Sequence, residues 1–124
     1  MRYAQIAHYG AAHSLGLLGD HRAVDPLLAR LADTSEDPRV RGFAAEALTG
    51  PGDRRAVPGL IAALGDPSAE VRFWAAFALG ELGDPAALSA LRQLAQNDQA
   101  ALPGWRSNSD EAAAAIESIT ARPA

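Results

Sequence analysis

Apolar residues recur along this chain at helical spacing, in segments separated by short turns rich in glycine, aspartate and proline. Within residues 23–32, for example, Val24, Leu27 and Leu31 fall on one face of a helix. The Gly-Asp and Gly-Pro sequences between such segments cannot continue a helix. We therefore predict helices over residues 2–18, 23–32, 38–48, 55–64, 68–82, 85–96 and 112–120, the last of them capped by Ser109, Asp110 and Glu111.

The pattern repeats with a fixed period. Residues 40–48, Val-Arg-Gly-Phe-Ala-Ala-Glu-Ala-Leu, return 31 residues later as residues 71–79, Val-Arg-Phe-Trp-Ala-Ala-Phe-Ala-Leu. The Gly-Asp pair at residues 52–53 returns in the same register at residues 83–84. A period of this length indicates a solenoid, in which each unit is two helices joined by a turn.

Three short motifs carry a resemblance to a known repeat family. They are Val-Arg-x-x-Ala-Ala-x-Ala-Leu, Leu-Gly-Asp or Gly-Asp, and the Ala-Val-x-x-Leu of residues 23–27 and 56–60. Together they resemble the phycobilisome (PBS) lyase HEAT-like repeat, over nearly the whole chain. The resemblance implies an all-α, armadillo-like fold, a right-handed α-solenoid (α-α superhelix) of about three and a half repeats. It also implies a protein-binding scaffold, as most relatives look like scaffolds.

We predict a single HEAT-like repeat domain over residues 1–124, because this length suits one core and no linker divides it. A half repeat at residues 2–18 precedes repeats at about 21–49, 54–82 and 85–121. The ends depart from the motif, as Ala7 and His8 stand where Val-Arg is expected. Such departures are typical of capping units. Whether the chain is a fragment of a longer array stays open.

The resemblance also implies a role for the repeated arginines. In such repeats, Arg41 and Arg72 are expected to reach the turn aspartates Asp20, Asp53 and Asp84, forming a structural ladder of charge-assisted hydrogen bonds. A phosphate or carboxylate ligand could use these arginines only if the aspartates left them free.

The second helices of the units differ from one another at three aligned positions. These columns read Tyr9, Gly42, Phe73 and Asp110, then Gly10, Phe43, Trp74 and Glu111, then His13, Glu46, Phe77 and Ala114. In this architecture the columns line the concave surface and usually hold polar side chains, whereas five aromatic residues occupy them here. Phe73 and Phe77 lie at i and i+4 and therefore share a helix face, with Trp74 beside them.

An exposed aromatic patch of this kind is costly unless something covers it. We predict a partner-binding site on the concave face, formed by Tyr9, His13, Phe43, Glu46, Phe73, Trp74 and Phe77. Asp110 and Glu111 add acidic groups at its rim. Three interpretations stay open: the chain buries the patch itself under Trp105, a protein partner or second copy covers it, or a small hydrophobic ligand does.

Composition narrows the function classes. The eleven basic residues are all arginine, which excludes Schiff-base chemistry, and the absence of cysteine excludes thiolate catalysis and cysteine-ligated zinc. The net charge of -4 and the acidic columns argue against DNA binding, which needs an arginine-lined groove. The beginning of the chain lacks the uninterrupted apolar stretch of a signal peptide or membrane span, so we expect a cytoplasmic protein.

Catalysis is disfavoured. His13 and Glu46 fall in one column and could form an acid–base pair, but such pairs on adjacent helices are more often salt bridges. His8 and His13 are five residues apart, off the spacing that places two metal ligands on one helical face. We assign no catalytic residue, metal or cofactor. The favoured function is a non-catalytic protein-binding scaffold or adaptor; the alternative is a small-molecule-binding or lyase-like protein with a hydrophobic concave pocket and a His/Glu pair.

Overall fold

Six α-helices, arranged as three pairs, make up residues 21–122, the part of the chain that the computed structural model describes. They are α1 (Val24–Ala32), α2 (Pro38–Ala47), α3 (Val57–Ala63), α4 (Ala69–Leu82), α5 (Leu88–Asn97) and α6 (Asn108–Thr120). A 3₁₀ turn precedes the first helix of each pair, at His21–Ala23, Arg54–Ala56 and Pro85–Ala87. Residues 21–122 form no strand, so the predicted all-α fold is confirmed.

The helices pack in two layers. Helix α2 packs on α4, and α4 packs on α6, so the second helices of the first, second and third units form one continuous layer. The first helices pack mainly on their own partners and less on one another. A groove of about 350 Å³ therefore lies between α1 and α3, and a second groove of about 550 Å³ lies beside α3 and α5.

Small residues allow the second helices to approach closely. A Cβ added at Gly80 of α4 would lie 2.9 Å from the Cα of Ala115 on α6. The core between the two layers combines recurring branched side chains with alanines. The branched side chains that are fully buried are Val24, Leu27, Val40, Leu48, Leu60, Val71, Leu79 and Leu91. The repeated apolar spacing of the sequence thus becomes one core that continues across the unit boundaries.

The last helix begins earlier than its sequence predicts. We expected it to start at residue 112, behind a cap at residues 109–111, but α6 begins at Asn108. The side chain of Ser107 accepts a hydrogen bond from the backbone N–H of Asp110, which makes Ser107 the N-cap. Asp110 and Glu111 consequently belong to the first turn of the helix.

The half repeat predicted at residues 2–18, together with Tyr9, His13 and Asp20, lies outside the described residues. The predicted domain boundaries and the His13–Glu46 pair stay predictions. Within residues 21–122, no helix is both long enough and apolar enough to cross a membrane.

Candidate functional site

Four aromatic rings form a pocket on the layer of second helices. Phe73, Trp74 and Phe77 come from α4, and Trp105 comes from the loop between α5 and α6. Four pairs of these rings have centroids 5.0 to 5.5 Å apart and planes at 80 to 84°. This is the edge-to-face packing that aromatic rings prefer. The cavity, here named the aromatic pocket, measures about 350 Å³, and its lining is completed by Gly104, Arg106 and Glu111.

The three rings on α4 differ in how deeply they are buried. Phe73 is buried, whereas Trp74 and Phe77 are half-buried and face the cavity. Trp74 also packs against α2, where Gly42 offers no side chain: a Cβ added there would lie 2.7 Å from Cδ1 of the indole. Gly42 therefore makes the space that Trp74 occupies.

A tight turn supplies the fourth ring. The backbone N–H of Trp105 donates to the carbonyl of Leu102 at 2.9 Å, and Pro103 and Gly104 lie between them. Gly104 has φ +79°, so the turn combines proline second with a left-handed glycine third, as in a type II turn. Trp105 remains 45% exposed. The aromatic patch is therefore partly covered by its own chain and partly open.

Two polar residues anchor the base of this loop. The buried Asn108 donates through Nδ2 to the carbonyl of Ala69 at 3.1 Å and to Oδ2 of Asp98 at 3.0 Å. Asp98 also accepts from Nε of Arg72 at 2.6 Å and from the backbone N–H of Ala100. Burial raises the pKa of the Asp98 carboxyl, but the hydrogen bonds from Arg72, Asn108 and Ala100 outweigh burial and hold that pKa below its ordinary value.

The repeated arginines pair with aspartates in the turn between the two helices of a unit. Arg41 bonds both carboxylate oxygens of Asp66, and Arg72 bonds both of Asp98. Each arginine also donates to a carbonyl of its own unit, since Nε of Arg41 reaches Leu31 at 2.9 Å and Nη1 of Arg72 reaches Asp66 at 2.8 Å. Each ion pair therefore joins one unit to the next.

The predicted pairing of these arginines with Asp53 and Asp84 is wrong. Arg72 lies in the first turn of α4, whereas Asp84 comes after Leu82, the last residue of α4, which is roughly 15 Å further along the axis at about 1.5 Å per residue. Helical side chains also lean toward the N-terminus, away from that end. The ladder exists, but it uses Asp66 and Asp98.

Asp53 and Asp84 cap the 3₁₀ turns that lead into α3 and α5. Asp53 accepts from the backbone N–H of Arg55 at 2.9 Å, and Asp84 accepts from that of Ala86 at 2.9 Å. Asp53 also bonds Nε of Arg55 at 2.9 Å and Nδ1 of His21 at 3.0 Å. These hydrogen bonds, first of all that from the Arg55 side chain, hold the pKa of Asp53 far below its usual range.

A buried carboxylate closes one side of the aromatic pocket. The side chain of Glu111 is 6% exposed, and its Oε2 accepts from Nε of Arg106 at 2.7 Å. Arg106 itself is 54% exposed, so the ion pair joins a buried acid to a surface base. On α4, one turn before Trp74, burial raises the pKa of the Glu70 carboxyl, partly opposed by the charge of Arg39.

Comparison with known families agrees with this architecture. The family described as HEAT repeats matches residues 31–103. The chain belongs to the HEAT-repeat family. A second family, described as PBS lyase HEAT-like repeat, matches residues 7–33 of this HEAT-repeat chain, so the resemblance recognised in the sequence is confirmed.

A solved structure of the same type is similar over most of the chain. It belongs to the complex of CpcE and CpcF of phycocyanin lyase from Nostoc sp. PCC7120, with 35% sequence identity and a TM-score of 0.78. The likeness covers 90% of this HEAT-repeat chain and 47% of that chain, so the protein spans about half the length of its relative. No curated protein is significantly similar in sequence.

Among the described residues of this HEAT-repeat chain, the structure brings together only part of the predicted partner-binding site. Phe73, Trp74 and Phe77 line the aromatic pocket. Phe43 and Glu46 are half-buried on α2 and do not line it. Their part in partner binding stays a prediction.

Two contributors to the pocket were missed or misplaced by sequence reasoning. Glu111 was expected at an exposed rim, but it is buried, in the first turn of a helix that begins four residues earlier than predicted. Arg106 was not singled out at all. The Pro103-Gly104 pair directly before Trp105 and Arg106 predicts a turn, and this signal could have identified the loop as an ordered part of the pocket lining. Across residues 21–122, no group of three or more His, Asp or Glu side chains is placed to hold a metal ion.

Proposed function

We propose that this chain is a non-catalytic binding subunit of a lyase-like HEAT-repeat assembly, and that it engages a partner protein through the aromatic pocket. The observation that carries this proposal is the position of Trp105. Its ring is held by a tight turn and by two ring contacts, yet the residue remains nearly half exposed. A tryptophan that is fixed in place and open to solvent is typical of interface hot spots.

The surroundings of Trp105 support a protein partner. The pocket is apolar at its centre and has the charged groups Arg106 and Glu111 at its side, as interfaces have an apolar core and a polar rim. The similar chain from Nostoc sp. PCC7120 was solved as a complex of two proteins, CpcE and CpcF. By analogy, this chain would also work in a heteromeric assembly.

The pocket favours binding over chemistry by this chain alone. General acid–base catalysis needs a group that exchanges protons with the substrate. The carboxylate in the lining, Glu111, is instead engaged by Arg106. We therefore assign the pocket a recognition role, and any lyase-like reaction would depend on the assembled complex.

The test compares the wild-type chain with Trp105→Ala and with Gln96→Ala as a matched control on an exposed position of α5. A partner captured by the wild type and by the control, but not by Trp105→Ala, is purified and titrated by calorimetry. We expect Trp105→Ala to weaken binding by about 30-fold, which corresponds to a hot spot of about 2 kcal/mol. Undiminished affinity in a folded Trp105→Ala variant would contradict the proposal.

Self-association is distinguished by light scattering coupled to size exclusion. If the partner is a second copy, the wild type is a dimer and Trp105→Glu is a folded monomer. If the partner is another protein, both samples have the same mass when measured alone.

A small hydrophobic ligand is the second candidate. It is favoured by the wall that Trp105 adds to the pocket, since a volume of about 350 Å³ lies at the lower end of ligand-site volumes. The probe 1-anilinonaphthalene-8-sulfonate tests it. Saturable one-to-one binding that quenches tryptophan emission, and that is lost in Trp105→Ala, would favour this candidate.

A further inference from the structure

Glu111 is the starting point for a more specific assignment of the aromatic pocket. Its carboxylate is buried at the side of the cavity, and a buried carboxylate is costly unless a cation or hydrogen-bond donors compensate it. The compensating side chain in the free protein is Arg106, at 2.7 Å. The pocket therefore already contains the elements of a cation site.

The contact that Arg106 makes is weaker than this residue type can provide. One hydrogen bond, from Nε, joins Arg106 to Glu111, whereas an arginine that faces a carboxylate squarely makes two parallel bonds. More than half of the Arg106 side chain is exposed, and it stands on the loop rather than on a helix. Arg106 can therefore leave the carboxylate at little cost in packing.

The walls of the pocket suit a cation as well. Trp74 and Trp105 meet edge to face with centroids 5.3 Å apart, and Phe73 and Phe77 flank them. Aromatic faces attract a cation held within about 6 Å, and the attraction grows when the cation is desolvated. Aromatic walls with one buried carboxylate thus match a planar cation better than a neutral group.

The charge of the surrounding layer has the matching sign. Outside the pocket, the second helices carry more acidic than basic residues: the acids are Glu46, Glu70, Glu81, Asp110 and Glu117, and the bases are Arg39, Arg41 and Arg72. The net charge of the chain is -4. Such a surface raises the rate at which a basic segment arrives.

We infer that the aromatic pocket binds an arginine side chain of the partner protein, and that Arg106 occupies this guanidinium position until the partner displaces it. Arginine fits better than lysine because a planar guanidinium can stack on tryptophan and pair with the Glu111 carboxylate through two bonds. The inference rests on the proposed function and names the ligand class of the same site.

The test uses N-acetyl-arginine amide as the probe and N-acetyl-norleucine amide as its neutral control. The chain contains two tryptophans, Trp74 and Trp105, and both line the pocket, so intrinsic fluorescence reports on this site. We expect saturable binding of the arginine probe and at least tenfold weaker binding in Glu111→Gln. We expect Arg106→Gln to tighten binding at least threefold, because the internal competitor is removed. Arg92→Gln, on the exposed side of α5, serves as the charge-matched control and leaves the affinity unchanged.

The gain of affinity in Arg106→Gln is the decisive result, since a loss of folding cannot produce it. The inference would be overturned if the norleucine amide bound as tightly as the arginine amide. It would also be overturned if Arg106→Gln bound the arginine probe no more tightly than the wild type, or if neither the wild type nor Arg106→Gln bound this probe. The proposed function is judged separately. If Trp105→Ala still weakens partner binding while Arg106→Gln does not respond, the binding role stands and the arginine assignment falls. If the arginine probe behaves as expected but Trp105→Ala keeps its partner, the pocket is a guanidinium site, but the proposal that it engages the partner protein falls.

Discussion

Gly42 on α2 lies directly against the indole of Trp74 on α4, so that a Cβ at position 42 would be 2.7 Å from Cδ1. A glycine inside a helix destabilises it by up to about 1 kcal/mol relative to alanine. At Gly42 this cost is offset by the close packing that the missing side chain permits. The floor of the aromatic pocket thus depends on a residue that does not line it.

We predict that Gly42→Ala lowers the free energy of unfolding by about 1–3 kcal/mol, in spite of the better helix propensity of alanine. The indole cannot move aside freely, because the rings of Phe73, Phe77 and Trp105 contact it. Denaturant unfolding followed by tryptophan emission measures the change. Gly65→Ala is the control, since its Cβ would meet the carbonyl of Ala62 at an ordinary 3.5 Å. A Gly42→Ala protein as stable as the wild type would refute the packing argument.

The ion pair between the first two units should be worth more than a surface pair on the same helix. The side chains of Arg41 and Asp66 are each 7% exposed, so Arg41→Met leaves a buried carboxylate without its main partner. We expect a loss of about 3–5 kcal/mol. Arg39→Met is the matched control: Arg39 pairs with Asp37 at the surface, and we expect a change of at most about 1 kcal/mol. Equal effects in thermal melts would mean that Arg41 does not bind the units together.

Acid should loosen the loop that carries Trp105. The pKa of Asp98 is lower in the folded than in the unfolded state, where it is about 3.9, so its ionised form stabilises the fold above that pH. This contribution is lost as pH falls through the folded pKa. We expect Asp98→Asn to melt below the wild type at pH 7, with a gap that stays constant down to about pH 5 and narrows below about pH 4. A gap that persists unchanged in strong acid would contradict this assignment.

A comparison of two glycine variants distinguishes the effect of backbone strain from an effect on the aromatic pocket. Gly104 (φ +79°) and Gly52 (φ +63°) are both left-handed, and a Cβ at either would touch nothing within 4 Å. Alanine at either site should therefore destabilise by a similar amount, about 1 kcal/mol. Since Gly104 belongs to the turn that holds Trp105, Gly104→Ala should also weaken partner binding and change the tryptophan emission spectrum. Identical binding by the two variants would show that the turn does not set the position of Trp105.

The fold could be predicted from the sequence because its signals are local and repeated. Apolar spacing and turn residues recur in each unit, so the positions of the helix pairs can be predicted from the repeat period. The start of α6 could not be obtained in this way. Ser107 and Ser109 are both acceptable caps, and the buried bonds of Asn108 to Ala69 and Asp98, distant in sequence, fix the earlier start.

The partners of the arginines were predicted wrongly for a different reason. Each unit carries aspartates at both of its turns, and both sets follow the same period, so periodicity cannot choose between Asp66 and Asp84. The direction of the side chain on its helix does choose. The aromatic pocket was predictable where one helix supplies it, at Phe73, Trp74 and Phe77. Its remaining wall, Trp105, depends on where the loop is anchored, and that is a tertiary property.

The aromatic pocket spans a joint of the repeat stack, because α4 belongs to the second unit while Trp105, Arg106 and Glu111 belong to the third. A ligand or partner group in the pocket therefore contacts both the second and the third unit. By mass action, an occupant at 100 times its dissociation constant would add about 2.7 kcal/mol to the free energy needed to separate them. The partner would then act as a clamp, and the resistance of the last two helices to peeling away would rise and fall with its concentration.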